Sequence, residues 1–267
     1  MPDASTEQGA SAVRVDVAGP VMTITLADLD NRNALGSALV AAVSDALTRA
    51  NAEEAIRAIV LTNDGTTFCA GANLKEQSAR NESGGSTTLG DFPVLLTQIQ
   101  NSPTPVIGRI DGHVVGGGNG LAAVCDIAVA REDVKFGFTE VRLGVTPAII
   151  SVVCLPKMRP GEAMEAFLRG NRFSAAKAAD YGLISRAVPG DELDAAVAEI
   201  VSDLLRGGPN ALGIAKRLVQ EVPLMPQAEA LEWATKLSAE CFASDEAREG
   251  MRAFIEKRDA AWIQKPS

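Results

Sequence analysis

Gly112-His113-Val114-Val115-Gly116-Gly117-Gly118-Asn119-Gly120-Leu121 is the stretch on which the reading of this 267-residue chain turns. It follows Pro105–Ile110, which reads as a strand, and leads into Gly116–Val124, which reads as a short helix opened by glycines. The first N–H groups of a helix have no partner within it. A helix start built from glycine therefore offers bare donors to an anion, or to an oxygen that becomes negative during a reaction. Gly118-Asn119-Gly120-Leu121-Ala122-Ala123 also matches the G-x-G-x-x-A pattern of dinucleotide-binding turns. Length argues against that match, because the next strand begins near Ile127 and leaves no room for the long first helix of such a unit.

A second run of small residues lies upstream, in Phe68-Cys69-Ala70-Gly71-Ala72-Asn73-Leu74-Lys75-Glu76. Small side chains let a ligand reach backbone N–H groups, although the same run also fits a tight connection into a helix capped by Asn73. The surrounding sequence alternates strand and helix. Val13, Val15 and Val17 alternate with polar residues, as do Met22, Ile24 and Leu26 beyond Gly19-Pro20, which predicts a β-hairpin. Gly36–Ala50 carries Leu39, Val40, Val43 and Leu47 at helical spacing, and Ala55–Thr62 reads as a buried strand. The glycine- and serine-rich Ala79–Gly90 reads as a mobile surface loop before a helix at Phe92–Gln100. Short helices are predicted at Pro147–Leu155, Glu162–Leu168 and Ala175–Tyr181, and the chain is helical almost throughout from Asp191 onward. The pattern predicts a flexible tail over 1–11, an α/β core over 12–190 and a helical lobe over 191–267.

Hydrophobic residues make up 46% of the chain and charged residues 22%, as expected for a globular protein with a full core. A formal charge of −9 without a clustered basic surface argues against nucleic acid as a partner. The four cysteines are scattered and His113 is the single histidine, so no metal set is expected. No signal-peptide pattern and no long apolar run is present, which predicts a soluble, cytoplasmic protein away from membranes. Cys69 reads as a small packing residue and His113 as a packed, hydrogen-bonded one rather than a catalytic base.

With both glycine segments in this order, the chain resembles the crotonase superfamily of enoyl-CoA hydratases and isomerases. The likeness extends from the N-terminal hairpin through Phe138–Pro147 and Arg172–Ala187 to Phe254–Arg258. It implies a β-β-α spiral core with a C-terminal helical trimerisation lobe, assembled as a homotrimer or a dimer of trimers. It further implies an acyl-CoA thioester as ligand, with coenzyme A entering as part of the substrate and no separate cofactor. By that resemblance the N–H groups of Ala72 and Gly117 form an oxyanion hole. Asn33, Ala34, Phe68, Ala70, Ala72, Asn73, Leu74, Gly116 and Gly117 would line the coenzyme A groove, and Phe254 and Lys257 would reach it from a neighbouring subunit. For Lys257 the sequence equally allows an ordinary cation in the last turn of a helix.

Hydratases of this family commonly carry two glutamates, and here the first position is Gly120 while the second is Glu140. Glu140-Val141-Arg142-Leu143-Gly144 and Pro147-Ala148-Ile149-Ile150-Ser151 are similar to the methylglutaconyl-CoA hydratase-like branch, which favours hydration of a short branched or acidic enoyl-CoA. An enoyl-CoA isomerase needs only one base and is the alternative. A hydroxyisobutyryl-CoA hydrolase would carry aspartate where this chain has Ala148. A non-catalytic acyl-CoA-binding protein would be expected to lack Glu140 as well.

Overall fold

The computed structural model describes residues 12–82 and 91–263. The chain opens with the expected hairpin: β1 (Val13–Ala18) and β2 (Val21–Leu26) pair antiparallel, Val13 opposite Leu26, around Gly19 at φ 55°. Helix α1 (Ser37–Ala52) packs its apolar stripe inward and delivers the chain to β3 (Ala58–Asn63), whose six residues are all buried. Then come β4 (Thr67–Cys69), α2 (Leu74–Glu82), α3 (Phe92–Gln100), β5 (Val106–Ile110), β6 (His113–Val115), α4 (Gly117–Val124), β7 (Ile127–Arg131) and β8 (Lys135–Gly137).

The repeat β3-β4, β5-β6, β7-β8 builds a spiral, because each turn contributes one strand to each of two sheets. The larger sheet runs β1-β2-β3-β5-β7 and is parallel from β2 onward, and the smaller runs β4-β6-β8, also parallel. After a 3-10 turn at Glu140–Leu143 follow α5 (Ala148–Cys154), α6 (Pro160–Arg169), β9 (Phe173–Ser174), α7 (Ala175–Asp180) and β10 (Arg186–Val188). Strand β9 closes the smaller sheet antiparallel to β8, and β10 closes the larger one beside β7. The rings of Phe138 and Phe167 pack at a tilt with centroids 4.3 Å apart, and Phe173 packs against Tyr181. This aromatic group anchors the segment that leads into Glu140.

The last helices are α8 (Leu193–Arg206), α9 (Pro209–Glu221), α10 (Gln227–Ala243) and α11 (Asp245–Glu256). Alternating residues of β3 face opposite layers, as expected for a strand buried on both sides. Ile59 and Leu61 join the main core with α1 and α3, while Ala58 and Val60 pack with Leu193, Val197 and Ile200 of α8. Helix α8 is therefore a layer of the core. Packing hands over to exposed helices only at Pro209, later than the boundary at 191 suggested by the sequence. Helix α9 is tied back by Lys216, whose ammonium lies 3.0 Å from Asp126 and donates to the Ile99 carbonyl.

Two sequence readings change. The loop expected over Ala79–Gly90 does not hold for residues 79–82, because α2 continues to Glu82; residues 83–90 of that reading lie outside the described residues, as does the tail at 1–11. The exposed polar surface of α2 hides it from any search for an apolar stripe. The three-residue strands β4, β6 and β8 are not among the elements expected from the sequence, being too short to show a period-two pattern. Among the described residues no helix is long and apolar enough to cross a membrane.

Leu61 sits 2% exposed at the centre of the main core. Leu61→Ala is expected to lower unfolding free energy by about 2–5 kcal/mol through lost contacts and a residual cavity, read as a lower urea midpoint.

Candidate active site

The two glycine segments meet backbone to backbone where the smaller sheet ends. A Cβ on Gly112 would lie 2.5 Å from Phe68 N, and one on Gly118 would lie 2.6 Å from Cys69 O, so both positions require glycine. The turn at Gly71 has φ +85° and would place a Cβ 2.9 Å from Val115 O and 3.0 Å from Gly117 N. This contact brings Ala72 beside the start of α4. Among the described residues, neither the Ala72 N–H nor the Gly117 N–H donates to any backbone acceptor outside the regular elements. Gly117 stands at the first turn of its helix, where such a donor has no intrahelical partner.

The turn is braced from behind by residues 32–35. Ala70 N donates to Arg32 O at 3.2 Å, and Leu35 N donates to Gly71 O at 2.7 Å. Asn33, at φ 54°, is fully buried, and its amide donates to Thr67 O at 2.8 Å and Asp64 O at 3.3 Å. Its side chain thus shapes the turn from inside. Ala34 and Phe68 are likewise buried, at 7% and 0% exposure. Ala70, Ala72 and Asn73 keep partial exposure and Leu74 is open to solvent. Asn73 Oδ1 accepts from Glu76 N at 3.3 Å, so the asparagine caps α2 as its position suggested.

Glu140 enters this place from β8. Its Oε1 lies 3.4 Å from where a Cβ on Gly116 would be, while Oε2 is buried with no hydrogen-bond partner. No ion pair joins it to Arg142 among the described residues, which removes the ordinary reading of a paired carboxylate. Burial raises its pKa above the ordinary 4.5, because the charged form loses hydration that a bond from its own backbone N–H offsets only in part. Glu140 is thus the carboxylate that the structure brings to the two free amides.

Gly120 explains the missing second carboxylate in physical terms. A Cβ there would run into Ile150 Cγ2 and come within 2.8 Å of Ile150 Cβ, so α5 occupies the space that a side chain at 120 would need. The sequence placed Ile150 only within a motif and did not show that it packs on Gly120. Leu35 Cδ1 and Phe92 Cε1 approach Gly117 from the side, giving the donors an apolar neighbourhood.

Several candidates stand apart from this centre. Phe254 is 85% exposed on α11, and Lys257 caps that helix in the left-handed region at φ 55°, exposed and, among the described residues, without a hydrogen bond to either glycine segment. Arg258 instead pairs with Glu249 at 2.7 Å, a local structural contact. His113 Nδ1 accepts from Lys135 N at 3.1 Å, which ties β6 to β8. Cys69 is buried, and burial pushes its thiol up to about 12, which leaves it inert as a nucleophile. No group of three metal-ligating side chains is found among the described residues.

The Gly120–Ile150 contact is testable by substitution. Gly120→Ala gains about 1 kcal/mol of helix propensity, but overpacking costs about 1–3 kcal/mol, so a net loss is expected. The loss should shrink when Ile150→Ala is combined with it, and denaturant midpoints of the two single variants and the double variant measure that coupling.

Comparison with known proteins agrees with this geometry. The family model described as enoyl-CoA hydratase/isomerase matches residues 16–265. A putative enoyl-CoA hydratase of Thermus thermophilus is 31% identical over 244 residues, covering 90% of this chain and 96% of the relative. The structure of Pseudomonas aeruginosa AtuE superposes with a TM-score of 0.88 at 30% identity, covering 95% of this chain and all (100%) of that one. A putative enoyl-CoA hydratase structure from Mycobacterium avium paratuberculosis is 41% identical with a TM-score of 0.69, over 94% of this chain and 100% of that one. With its two-sheet spiral and facing glycine turns, the chain belongs to the enoyl-CoA hydratase/isomerase family, the crotonase superfamily.

Proposed function

We propose that the protein is an enoyl-CoA hydratase that works through an oxyanion-stabilised thioester enolate with Glu140 as its single acid/base. The observation that carries this reading is the Glu140 carboxylate beside Gly116, whose Oε2 is buried without a hydrogen-bond partner, at the place where the turns bearing the free amides of Ala72 and Gly117 meet. In hydration, Glu140 accepts a proton from water as the water oxygen bonds to C3 of the enoyl group. The electron pair of the double bond moves through C2 to the thioester oxygen, where the Ala72 and Gly117 N–H groups hold the negative charge. The protonated Glu140 then returns its proton to C2, and the enolate collapses to the 3-hydroxyacyl thioester. Atoms balance with one carboxylate, provided that it serves first as base and then as acid.

The same group would also move a proton from C2 to C4 of a 3-enoyl thioester, and Ile150 beside Gly120 leaves no second carboxylate to favour water. Isomerisation is therefore the second reading. The substrate class proposed is a short branched or acidic enoyl-CoA. The helices α9 to α11 are proposed to assemble the chain as a homotrimer or a dimer of trimers, supported by Leu231, Phe242, Phe254 and Ile255, which are all exposed. Phe254 and Lys257 would reach coenzyme A from a neighbouring subunit in such an assembly.

Incubation with 2-enoyl-, 3-enoyl- and 3-methylglutaconyl-CoA, followed by mass spectrometry, separates the readings: gain of one water supports hydration, whereas bond migration without mass change overturns it in favour of isomerisation. Tight binding without turnover would mean a binding protein.

Glu140→Gln is expected to lower kcat by about 10²–10⁴-fold. Glu140 must be ionised to accept a proton, so the rate should rise as pH passes through its raised pKa. The acid limb of the wild-type profile is therefore expected above the ordinary 4.5, and it should vanish from the residual rate of the variant.

A further inference from the structure

Whether Gly117 N–H can serve as a donor depends on which way one peptide unit faces. The carbonyl of Gly116 and the N–H of Gly117 belong to the same planar trans peptide and point in opposite directions. Whatever holds the Gly116 carbonyl therefore aims the Gly117 N–H. That carbonyl accepts from Asn119 N at 2.9 Å and from Asn119 Nδ2 at 2.9 Å. The side chain's grip matters because Gly116 has φ 55° and ψ −127°, a conformation open only to glycine and thus one that nothing in the residue itself enforces.

Asn119 does more than hold one carbonyl. Its Nδ2 also donates to Gly137 O at 2.9 Å, and the same Gly137 O accepts from Gly116 N at 2.9 Å. Gly137 ends β8, three residues before Glu140. One fully buried amide group thus binds the donor peptide to the strand that brings in the carboxylate. The orientation of the amide is forced, since both neighbours are carbonyl oxygens and only the NH2 end can face them. The opposite end, Oδ1, is left buried without a partner, so the side chain is placed for its donors alone.

We infer that Asn119 is a positioning residue: it sets the direction of Gly117 N–H and its register with Glu140, and so fixes how strongly the thioester carbonyl is polarised. The inference rests on the proposed role of Gly117 N–H as a donor to that carbonyl. Sequence alone gives Asn119 no more than a place in a glycine run.

The test is the infrared carbonyl stretch of butyryl-CoA labelled with ¹³C at the thioester carbon, bound to the full-length protein. In the wild type the stretch should fall relative to free butyryl-CoA. In Asn119→Leu, which keeps the branched outline of the side chain and removes the Nδ2 donors, that fall should be largely lost, with kcat down about 10²-fold and KM little changed. Asn119→Ala carries the same expectation if the leucine variant does not fold. A carbonyl shift that is the same in wild type and variant overturns the positioning role while leaving the donor reading intact. A wild type that binds butyryl-CoA without any shift overturns the donor reading, and the positioning role with it. A variant that only loses thermal stability, with its carbonyl shift unchanged, counts with the overturning results.

Discussion

The structure depends on one close approach, that of the turn at Gly71 to the start of α4. Val115 O and Gly117 N lie where a side chain on residue 71 would have to go. Two strands of the smaller sheet, β4 and β6, run side by side into this contact, and the glycines at 112 and 118 let their neighbouring backbones close on one another. Everything that follows, from the pairing of two unpaired amides to the arrival of Glu140, requires that these turns be separated by backbone atoms only.

The spiral delivers this contact by repetition. Each turn lays a long strand in the larger sheet and a short one in the smaller, so the ends of β4, β6 and β8 fall at one edge. The larger sheet supplies rigidity, being packed on both faces by α1, α3 and α8. The short strands need little stability of their own, since they ride on that platform. Around the contact the side chains sort by task. Asn33 and the Leu35 N–H brace the first turn, Asn119 orients the second, and the aromatic group of Phe138, Phe167 and Phe173 fixes the approach of Glu140. Ile150 closes the side from which another carboxylate could have come.

The β-hairpin, the α/β alternation and most helices were legible in the sequence because they have enough residues to display a period. The glycine turns were legible as well, since runs such as Gly116-Gly117-Gly118 have few other uses beside a helix start. Strands of three residues were not, and neither was α2 beyond Asn73, whose polar face carries no stripe. Within the site, Glu140 and the two amide positions came from the family resemblance rather than from spacing. The buried role of Asn33 went unseen, because an asparagine followed by Ala34 and Leu35 reads as well for a groove wall as for an internal brace. Ile150 and Asn119 were hidden for a related reason: each acts across the chain, on Gly120 and on the Gly116 and Gly137 carbonyls, and such contacts leave no local pattern.

That the two facing donors are main-chain N–H groups has a consequence for how this protein can vary. Every residue type except proline carries an N–H, so no exchange of one side chain for a smaller one can delete either donor. The vulnerable direction is growth: a single methyl at residue 71 would wedge the turns apart. For the two donors themselves mutation is thus asymmetric: a smaller side chain removes neither N–H, whereas a larger one at residue 71 displaces them. The free variables left to descent are the side chains around the rim, which can be traded to change what is bound while the charge-holding element passes through unaltered.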